Sequence, residues 1–222
     1  MSDQPFGNPA RAPARAPLAV GGNIDAATLL TAYRSGIFPW YSEGEPVQWW
    51  CPNPRFVMRP QDLKVTKSLA KELKKSEWKV TYDQAFETVM RACGKAPRPG
   101  QDGTWITEEM IAGYTELHRL GFAHSVEVSW DGELVGGLYG VSIGCVFHGE
   151  SMFYTRPNAS KVGYVHLVEQ LALGGFKLID CQMPTEHLAN FGAFAVPRLE
   201  FLTVLAQERD RTPRSTPWAK IT

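Results

Sequence analysis

The chain of 222 residues lacks the features of several broad classes of protein. No uninterrupted apolar run of about 18 residues occurs, so the sequence predicts no transmembrane helix. The N-terminus carries arginines but no apolar segment, which argues against a secretory signal. Net charge is absent too, since 23 Lys and Arg balance 23 Asp and Glu, and no global field favours nucleic acid or membrane. We expect a globular, cytoplasmic protein.

The chain is also poor in groups that bind metals or form disulfides. Its four cysteines, Cys51, Cys93, Cys145 and Cys181, are scattered, with no C-x-x-C pair and no Cys/His pair at zinc spacing. The five histidines are dispersed as well. We therefore expect reduced, mostly buried thiols, no metal site and no cofactor.

Composition divides the chain into three predicted parts. Residues 1–17 are rich in Pro, Ala and Arg and are predicted to be a disordered tail, because they cannot bury enough apolar surface. Residues 18–56 contain prolines and tryptophans typical of a small N-terminal domain, where large aromatic side chains supply the core. Residues 57–222 are predicted to form the main, catalytic domain.

Turn signals and periodicity predict the order of elements in the main domain. A hairpin turns at Asp131-Gly132, and a third strand follows at Cys145–Phe147. Ala159 begins a long amphipathic helix, and a strand follows it at Lys177–Met183. This order favours an α/β (α+β) fold with an acetyltransferase-like (GNAT-like) domain and a mixed, mostly antiparallel sheet.

The stretch Glu133–Phe153 combines strand-like residues with an unusual number of glycines. Its four glycines are Gly136, Gly137, Gly140 and Gly144. Glycines weaken a plain strand and indicate bulges or the close approach of a ligand. Glu150 and Ser151 lie between apolar neighbours, which indicates either a solvated strand end or a carboxylate that something binds.

A second polar pair lies in the apolar segment LIDCQ. Asp180 and Gln182 are two residues apart, so an extended strand places both side chains on the same face. A buried carboxylate is costly unless it is paired or hydrogen-bonded. Asp180 either ties down a loop or acts as a base or orienting group in a cleft, with Gln182 beside it.

A basic segment and a group of tryptophans allow contact with nucleic acid. Thr66 can cap a short helix whose lysines share one face: Lys67, Lys71, Lys74 and Lys75. Such a face is either simply solvated or suited to a phosphate backbone. Trp40 either belongs to the core of the small domain or stacks against a base.

Nine blocks in order carry a resemblance: LLTAYRSGIFPWY, WWCPNPR, GTWIT, AHSVEVSW, LVGGLYGVSIG, FHGESMF, NASK, LIDCQ and TEHLANFGA. Together they resemble the leucyl/phenylalanyl-tRNA–protein transferase family. The match runs from about Gly22 to Leu205, and the combination of FPWY, GTWIT, GESMF and LIDCQ is highly specific.

The resemblance implies an aminoacyltransferase of the N-degron pathway. Such an enzyme moves Leu or Phe, and less readily Met, from aminoacyl-tRNA to the N-terminal amine of proteins that begin with Arg or Lys. The ester is already activated, so the amine can attack directly without a covalent enzyme intermediate. The implied partners are leucyl-tRNA, phenylalanyl-tRNA and the acceptor protein, with the enzyme acting as a monomer.

The resemblance also implies the roles of individual residues. The reacting groups are Glu150, Asp180 and Gln182. The residues around the 3′ end of the tRNA are Tyr33, Trp40, Trp105, Tyr114 and Ser151. The residues of the pocket for the amino-acid side chain are Leu138, Phe147, Met152, Tyr164, Leu167, Leu171 and Ile179. Cys51, Leu138, Tyr164 and Leu167 depart from common family residues, which leaves the preference between Leu and Phe open.

Two other functions compete with this one. An acyl-CoA N-acetyltransferase needs a glycine-rich pyrophosphate loop before the long helix, and Met152–Lys161 has no such glycines. A non-catalytic adaptor could bind tRNA or a degron through the tryptophans and lysines. That function leaves Asp180 and Gln182 unexplained.

Overall fold

The computed structural model describes residues 6–96, 104 and 106–218. Near the N-terminus, three short antiparallel strands form a small sheet in the order β1-β3-β2. They are β1 (Ala19–Val20), β2 (Phe38–Pro39) and β3 (Gln48–Trp50). Helix α1 (Ala26–Arg34) connects β1 to β2, and the Asp25 side chain caps it by accepting from the Thr28 N–H.

A second sheet has seven strands in the order β10-β4-β9-β8-β7-β6-β5. They are β4 (Arg55–Met58), β5 (Trp78–Tyr82), β6 (Ala123–Trp130), β7 (Glu133–Ile143), β8 (Val146–Tyr154), β9 (Leu178–Gln182) and β10 (Phe194–Val196). All neighbouring strands are antiparallel except β8 and β9, which are parallel. The predicted fold class, a mixed and mostly antiparallel sheet with a small N-terminal unit, is confirmed.

The remaining helices cover both faces of the large sheet. They are α2 (Lys67–Glu72), α3 (Phe86–Lys95), α4 (Glu108–Arg119), α5 (Ala159–Gly174), α6 (Glu186–Asn190) and α7 (Arg198–Glu208). Leu138 of β7 packs in the core that includes α5, whereas its neighbour Tyr139 packs in the core that includes α3, α4 and the small sheet. Alternation along β7 therefore separates the two cores.

Helix α5 is the crossover that allows β8 and β9 to run parallel. It lies so close to β7 that a Cβ at Gly136 would fall 2.6 Å from the Ala159 side chain. The register of β7 against β8 shifts between Tyr139 and Gly140, which marks a bulge. Gly140 thus lies at a bulge, and Gly136 allows α5 to approach the sheet closely.

The disordered tail predicted at residues 1–17 stays a prediction, but its described part makes specific contacts. Phe6 is buried with its ring 4.6 Å from the ring of Trp49. The Arg198 guanidinium donates to the Pro13 carbonyl oxygen at 3.2 Å. Both anchors are remote in sequence, so the composition of the segment gives no sign of them.

Several element boundaries also differ from the predictions. The third strand of the predicted sheet is longer than Cys145–Phe147, because β8 continues to Tyr154 and contains Glu150. Strands β4 and β10 and helix α7 were not predicted. The predicted domain boundary after residue 56 falls inside β4. It stays a prediction. Among the described residues, no helix has the length and apolar character needed to cross a membrane.

Candidate active site

A cavity of about 560 Å³ lies between the large sheet and α5, with Pro39 and Trp40 of the N-terminal region at its border. Six of the seven residues predicted for the side-chain pocket line it: Leu138, Phe147, Met152, Tyr164, Leu167 and Ile179. The seventh, Leu171, does not line it and is fully buried in the core that α5 shares with the sheet. The cavity is therefore mostly apolar.

Polar residues meet at the point where β8 and β9 stop pairing. The parallel register runs from Val146 opposite Leu178 to His148 opposite Asp180 and ends there. Two residues beyond it, the Gln182 Nε2 donates to the Glu150 Oε1 at 2.6 Å. Both residues border the cavity, so the end of the parallel pair forms a polar edge on an apolar space.

Asp180 is held by a buried ion pair with Arg55. The Arg55 Nε donates to Oδ1 at 2.7 Å and Nη2 to Oδ2 at 2.6 Å, and neither side chain has exposed surface. The His148 Nδ1 lies 2.7 Å from Oδ2, and the Gln182 N–H donates to Oδ1 at 3.0 Å. Four partners occupy the four lone-pair sites of the carboxylate.

The electrostatics of Asp180 favour an orienting role over that of a base. Burial alone would raise its pKa, but the charge and hydrogen bonds of Arg55, with His148, hold the pKa well below its usual range. The carboxylate is thus ionised and saturated with donors. Although Asp180 borders the cavity, it offers no free oxygen to a substrate amine.

Arg55 was missed by the sequence analysis. Its guanidinium lies between two aromatic rings, 4.8 Å from the centroid of Phe38 and 4.5 Å from that of Phe201. It therefore links the small sheet and α7 to Asp180 on β9. The one signal that could have found it was physical, because a buried aspartate in an apolar strand requires a cationic partner.

Gln182 reaches Glu150 through an unusual backbone conformation. Its φ of +61° lies in the left-handed region, and its N–H is held by the Asp180 side chain. The predicted strand geometry would direct both side chains the same way. Instead Asp180 contacts Arg55, while Gln182 contacts Glu150, and a side chain to backbone bond joins the two residues.

Glu150 is the carboxylate that faces the cavity. Burial raises its pKa to about 8, against the opposing hydrogen bonds from Tyr33 and Gln182. The Tyr114 hydroxyl donates to its Oε2 at 3.3 Å and is itself hydrogen-bonded to the Tyr33 hydroxyl. Glu150 keeps partial exposure toward the cavity. Its pKa and its position suit a group that exchanges a proton near neutral pH.

The residues predicted to bind the 3′ end of the tRNA occupy different positions. Trp40 and Ser151 border the cavity, and the Trp50 Nε1 donates to the Trp40 carbonyl oxygen at 2.7 Å. Tyr33 and Tyr114 are fully buried and contact Glu150 from behind rather than lining the cavity. Trp105 lies outside the described residues.

The four lysines are brought together only in part. All four are exposed, but α2 ends at Glu72, so Lys74 and Lys75 follow the helix instead of sharing its face. Lys75 pairs with Glu72 at 2.9 Å, and its Nζ lies 5.6 Å from the ring centroid of Trp130. The predicted single helical face is therefore wrong, because the chain leaves the helix one turn too early.

Two further features of the structure involve side chains outside the predicted set. Cys181, one of the thiols expected to be mostly buried, borders the cavity, and burial raises the pKa of its thiol. Asp83, His118 and His124 meet near the start of β6. The His124 Nδ1 is 2.8 Å from Asp83, and the His118 Nδ1 is 2.7 Å from the Ala123 carbonyl oxygen, so these nitrogens already have partners.

Comparison with known proteins identifies the family. Residues 57–206 match the family model of leucyl/phenylalanyl-tRNA protein transferase, and residues 22–53 match the model of its N-terminal domain. A structural neighbour, a GCN5-related N-acetyltransferase from Kribbella flavida, is 13% identical, with a TM-score of 0.40 over 75% of this chain and 59% of its own. At that level the likeness gives no information about activity.

Curated relatives are far more similar. A leucyl/phenylalanyl-tRNA–protein transferase from Anaeromyxobacter sp. (strain Fw109-5) is 56% identical over 202 residues, covering 90% of this chain and 86% of the relative. One from Chromobacterium violaceum is 55% identical over 197 residues, covering 89% and 84%. The chain therefore belongs to the leucyl/phenylalanyl-tRNA–protein transferase family and is an aminoacyltransferase.

Proposed function

We propose that this transferase moves Leu or Phe, and less readily Met, from aminoacyl-tRNA to the N-terminal amine of proteins that begin with Arg or Lys. The product is an N-degron that directs the acceptor to proteolysis. The enzyme acts as a cytoplasmic monomer without metal or cofactor. The observation that carries the proposal is the apolar cavity with a Glu150–Gln182 pair at its edge.

The cavity suits an aliphatic or aromatic apolar side chain. Its deep wall is apolar, and the Tyr164 hydroxyl is already hydrogen-bonded to the Met58 Sδ at 3.1 Å. A polar side chain would lose its water there without a replacement partner. One methylene in such a pocket is worth about 1–3 kcal/mol, so Leu, Phe and Met should differ modestly in rate.

The proposed chemistry is a direct attack of the amine on the ester. The neutral amine forms the N–C bond at the acyl carbon and the C–O bond to the ribose breaks. The ionised Glu150 takes one proton from the attacking nitrogen and returns it to the leaving ribose oxygen, so that no net proton is gained or lost. An N-terminal amine has a pKa of about 7.7–8.0, close to that of Glu150. Proton transfer between the two groups therefore has a free-energy change near zero. Positioning the two substrates supplies much of the remaining rate.

Asp180 has an orienting role in this proposal. Because its oxygens are occupied by Arg55, His148 and Gln182, it fixes the backbone of Gln182 rather than taking the proton. Trp40, Trp105 and Ser151 are proposed to hold the terminal adenosine. The tRNA backbone is proposed to follow the exposed lysines, Lys67, Lys71, Lys74 and Lys75.

The test is transfer of label from charged tRNA to a peptide. Purified protein is incubated with radiolabelled leucyl-tRNA or phenylalanyl-tRNA and a peptide that begins with Arg or Lys. We expect label in the peptide from both donors and none in an N-acetylated control peptide. Donor incubated with enzyme alone should leave no label on the protein, since no covalent intermediate forms.

Two results would contradict the proposal. Binding of tRNA without transfer to any basic peptide would favour the adaptor function and make Asp180 a structural residue. Stable label on the enzyme before the peptide is added would exclude direct attack while leaving the overall transfer intact.

A further inference from the structure

The first turn of α5 contains backbone donors without partners. The N–H of Ala159 donates to the Arg156 carbonyl oxygen at 3.1 Å, and that of Val162 donates to the Asn158 carbonyl oxygen at 2.8 Å. Within the described part of the chain, the N–H groups of Ser160 and Lys161 have no acceptor. The Asn158 side chain does not cap the helix either. Two donors at the helix start are therefore free.

The Ser160 side chain adds a third free donor at the same place. Ser160 is only 4% exposed, and it lines the cavity. No described residue forms a hydrogen bond with its hydroxyl. A hydroxyl that is buried on the protein side and directed into a cavity without a partner indicates a ligand that supplies an acceptor.

The charge near this helix end favours an anion. The first turn of α5 contains no acidic residue, and the helix dipole adds partial positive charge. Lys161 is exposed next to Ser160, and after burial its charge is the second cause that lowers the pKa of His187, which borders the cavity. A phosphate group fits free N–H groups, a hydroxyl and a nearby ammonium.

We propose that the start of α5, with Ser160 and Lys161, binds the phosphate on the 5′ side of the terminal adenosine of the donor tRNA. The inference rests on the proposed function, because it takes that adenosine to lie at the cavity mouth near Trp40. The amino-acid pocket lies along the same helix, between Tyr164 and Leu167 and the sheet, so one helix holds both ends of the reacting nucleotide.

The experiment compares two stable donor analogues. Both carry phenylalanine in amide linkage at the 3′ position of adenosine, and one also carries a 5′-phosphate. Their dissociation constants are measured by calorimetry on the full-length protein. In the wild type we expect the phosphate to tighten binding by about tenfold, as a charge-assisted contact at a helix start should.

Variants locate the effect. Ser160→Asp places a negative charge at the site, so the phosphorylated analogue should bind no more tightly than the nucleoside. Ser160→Ala and Lys161→Gln remove single donors and should each lose part of the gain; they replace Ser160→Asp if that variant does not fold. The matched control is Thr203→Asp, at an exposed position on α7, which should keep the full tenfold gain.

The outcomes separate the inference from the function on which it rests. An equal phosphate gain in the wild type and in all Ser160 and Lys161 variants would overturn the site, as would no gain in the wild type. Inorganic phosphate that tightens nucleoside binding to the same extent would assign the site to free anion instead of the donor. Failure of even the unphosphorylated analogue to bind would contradict the proposed function itself.

Discussion

Asp180 and Glu150 are carboxylates on adjacent strands, and the fold treats them in opposite ways. Asp180 has no exposed surface and pairs with Arg55 through two hydrogen bonds. The described hydrogen-bond partners of Glu150 are neutral groups, Gln182, Tyr114 and Tyr33, and Glu150 faces the cavity. Burial disfavours the charge on both, but only Asp180 has a cation to offset it. The pKa of Asp180 falls, and that of Glu150 rises to about 8.

The opposite pKa shifts give the two carboxylates opposite effects on the pH dependence of stability. Asp180 has a lowered pKa, so it stabilises the fold above its unfolded pKa of about 3.9, and the contribution is lost only as the pH falls into strong acid. Glu150 has a raised pKa, so its contribution is complete below about 4.3 and is lost as the pH rises through about 8. In the proposed mechanism the charged Asp180 therefore orients its neighbours, and the titrating Glu150 exchanges the proton.

The largest expected effect comes from removing the cation that pairs with Asp180. Arg55→Met leaves Asp180 charged and unpaired in the interior, and breaking a buried ion pair typically costs about 3–5 kcal/mol. The free energy of unfolding in urea measures the loss. The double variant Arg55→Met with Asp180→Leu removes both charges and should recover most of it. If single and double variants are equally destabilised, the guanidinium acts through packing against Phe38 and Phe201 instead.

The next effect concerns the proton acceptor. Glu150→Gln keeps an amide oxygen for Gln182 but cannot take a proton, so kcat should fall by about 100-fold or more. The wild-type rate should rise with pH through about 8, and the variant should lose the contribution of this group. The acceptor amine titrates in the same range. Carbon-13 NMR of labelled glutamates therefore serves as the control.

In that spectrum, one glutamate of the wild type should titrate near pH 8 and be missing from Glu150→Gln. A wild-type spectrum in which every carboxylate titrates below pH 6 would remove Glu150 from the proton transfer. A small change in kcat, with the titrating signal assigned to Glu150, would show that the amine loses its proton before it binds.

The smallest expected effect separates the hydrogen-bond partners of Asp180 from the titration of Glu150. His148→Gln removes one of the donors to Asp180 while Arg55 remains, and a hydrogen bond to a charged group is worth about 1.5–3 kcal/mol. Urea denaturation should show a loss near the lower end of that range. The pH dependence of kcat should stay in place, because no described contact joins His148 to Glu150. A shifted pH profile would mean that the two carboxylates titrate as a pair.

Local signals predicted a good part of the fold. Ala159 begins the long helix as expected, and the turn at Asp131-Gly132 joins two strands with both residues at positive φ. Each of these depends on a few adjacent residues. Strand β4 was missed, because it has four residues after a proline-rich stretch and its partners in the sheet are β9 and β10, far along the chain.

The candidate site was predicted in its composition but not in its connections. The family resemblance implied the polar residues and seven pocket residues, six of which line the cavity, yet the sequence did not show what each one contacts. Arg55 and Asp180 are 125 residues apart, and no local pattern couples them. The positive φ of Gln182 also cannot be read from LIDCQ, because the Asp180 side chain imposes it.

The end of the parallel pairing at His148 and Asp180 has a consequence for engineering the enzyme. The proposed reacting groups, Glu150 and Gln182, lie just beyond the last parallel pair of β8 and β9, whereas Tyr164 and Leu167 reach the cavity from a separate helix. Donor preference can therefore be altered by substitutions on α5 while the reacting groups remain untouched. A library confined to that helix would change which amino acid is transferred without having to rebuild the chemistry that transfers it.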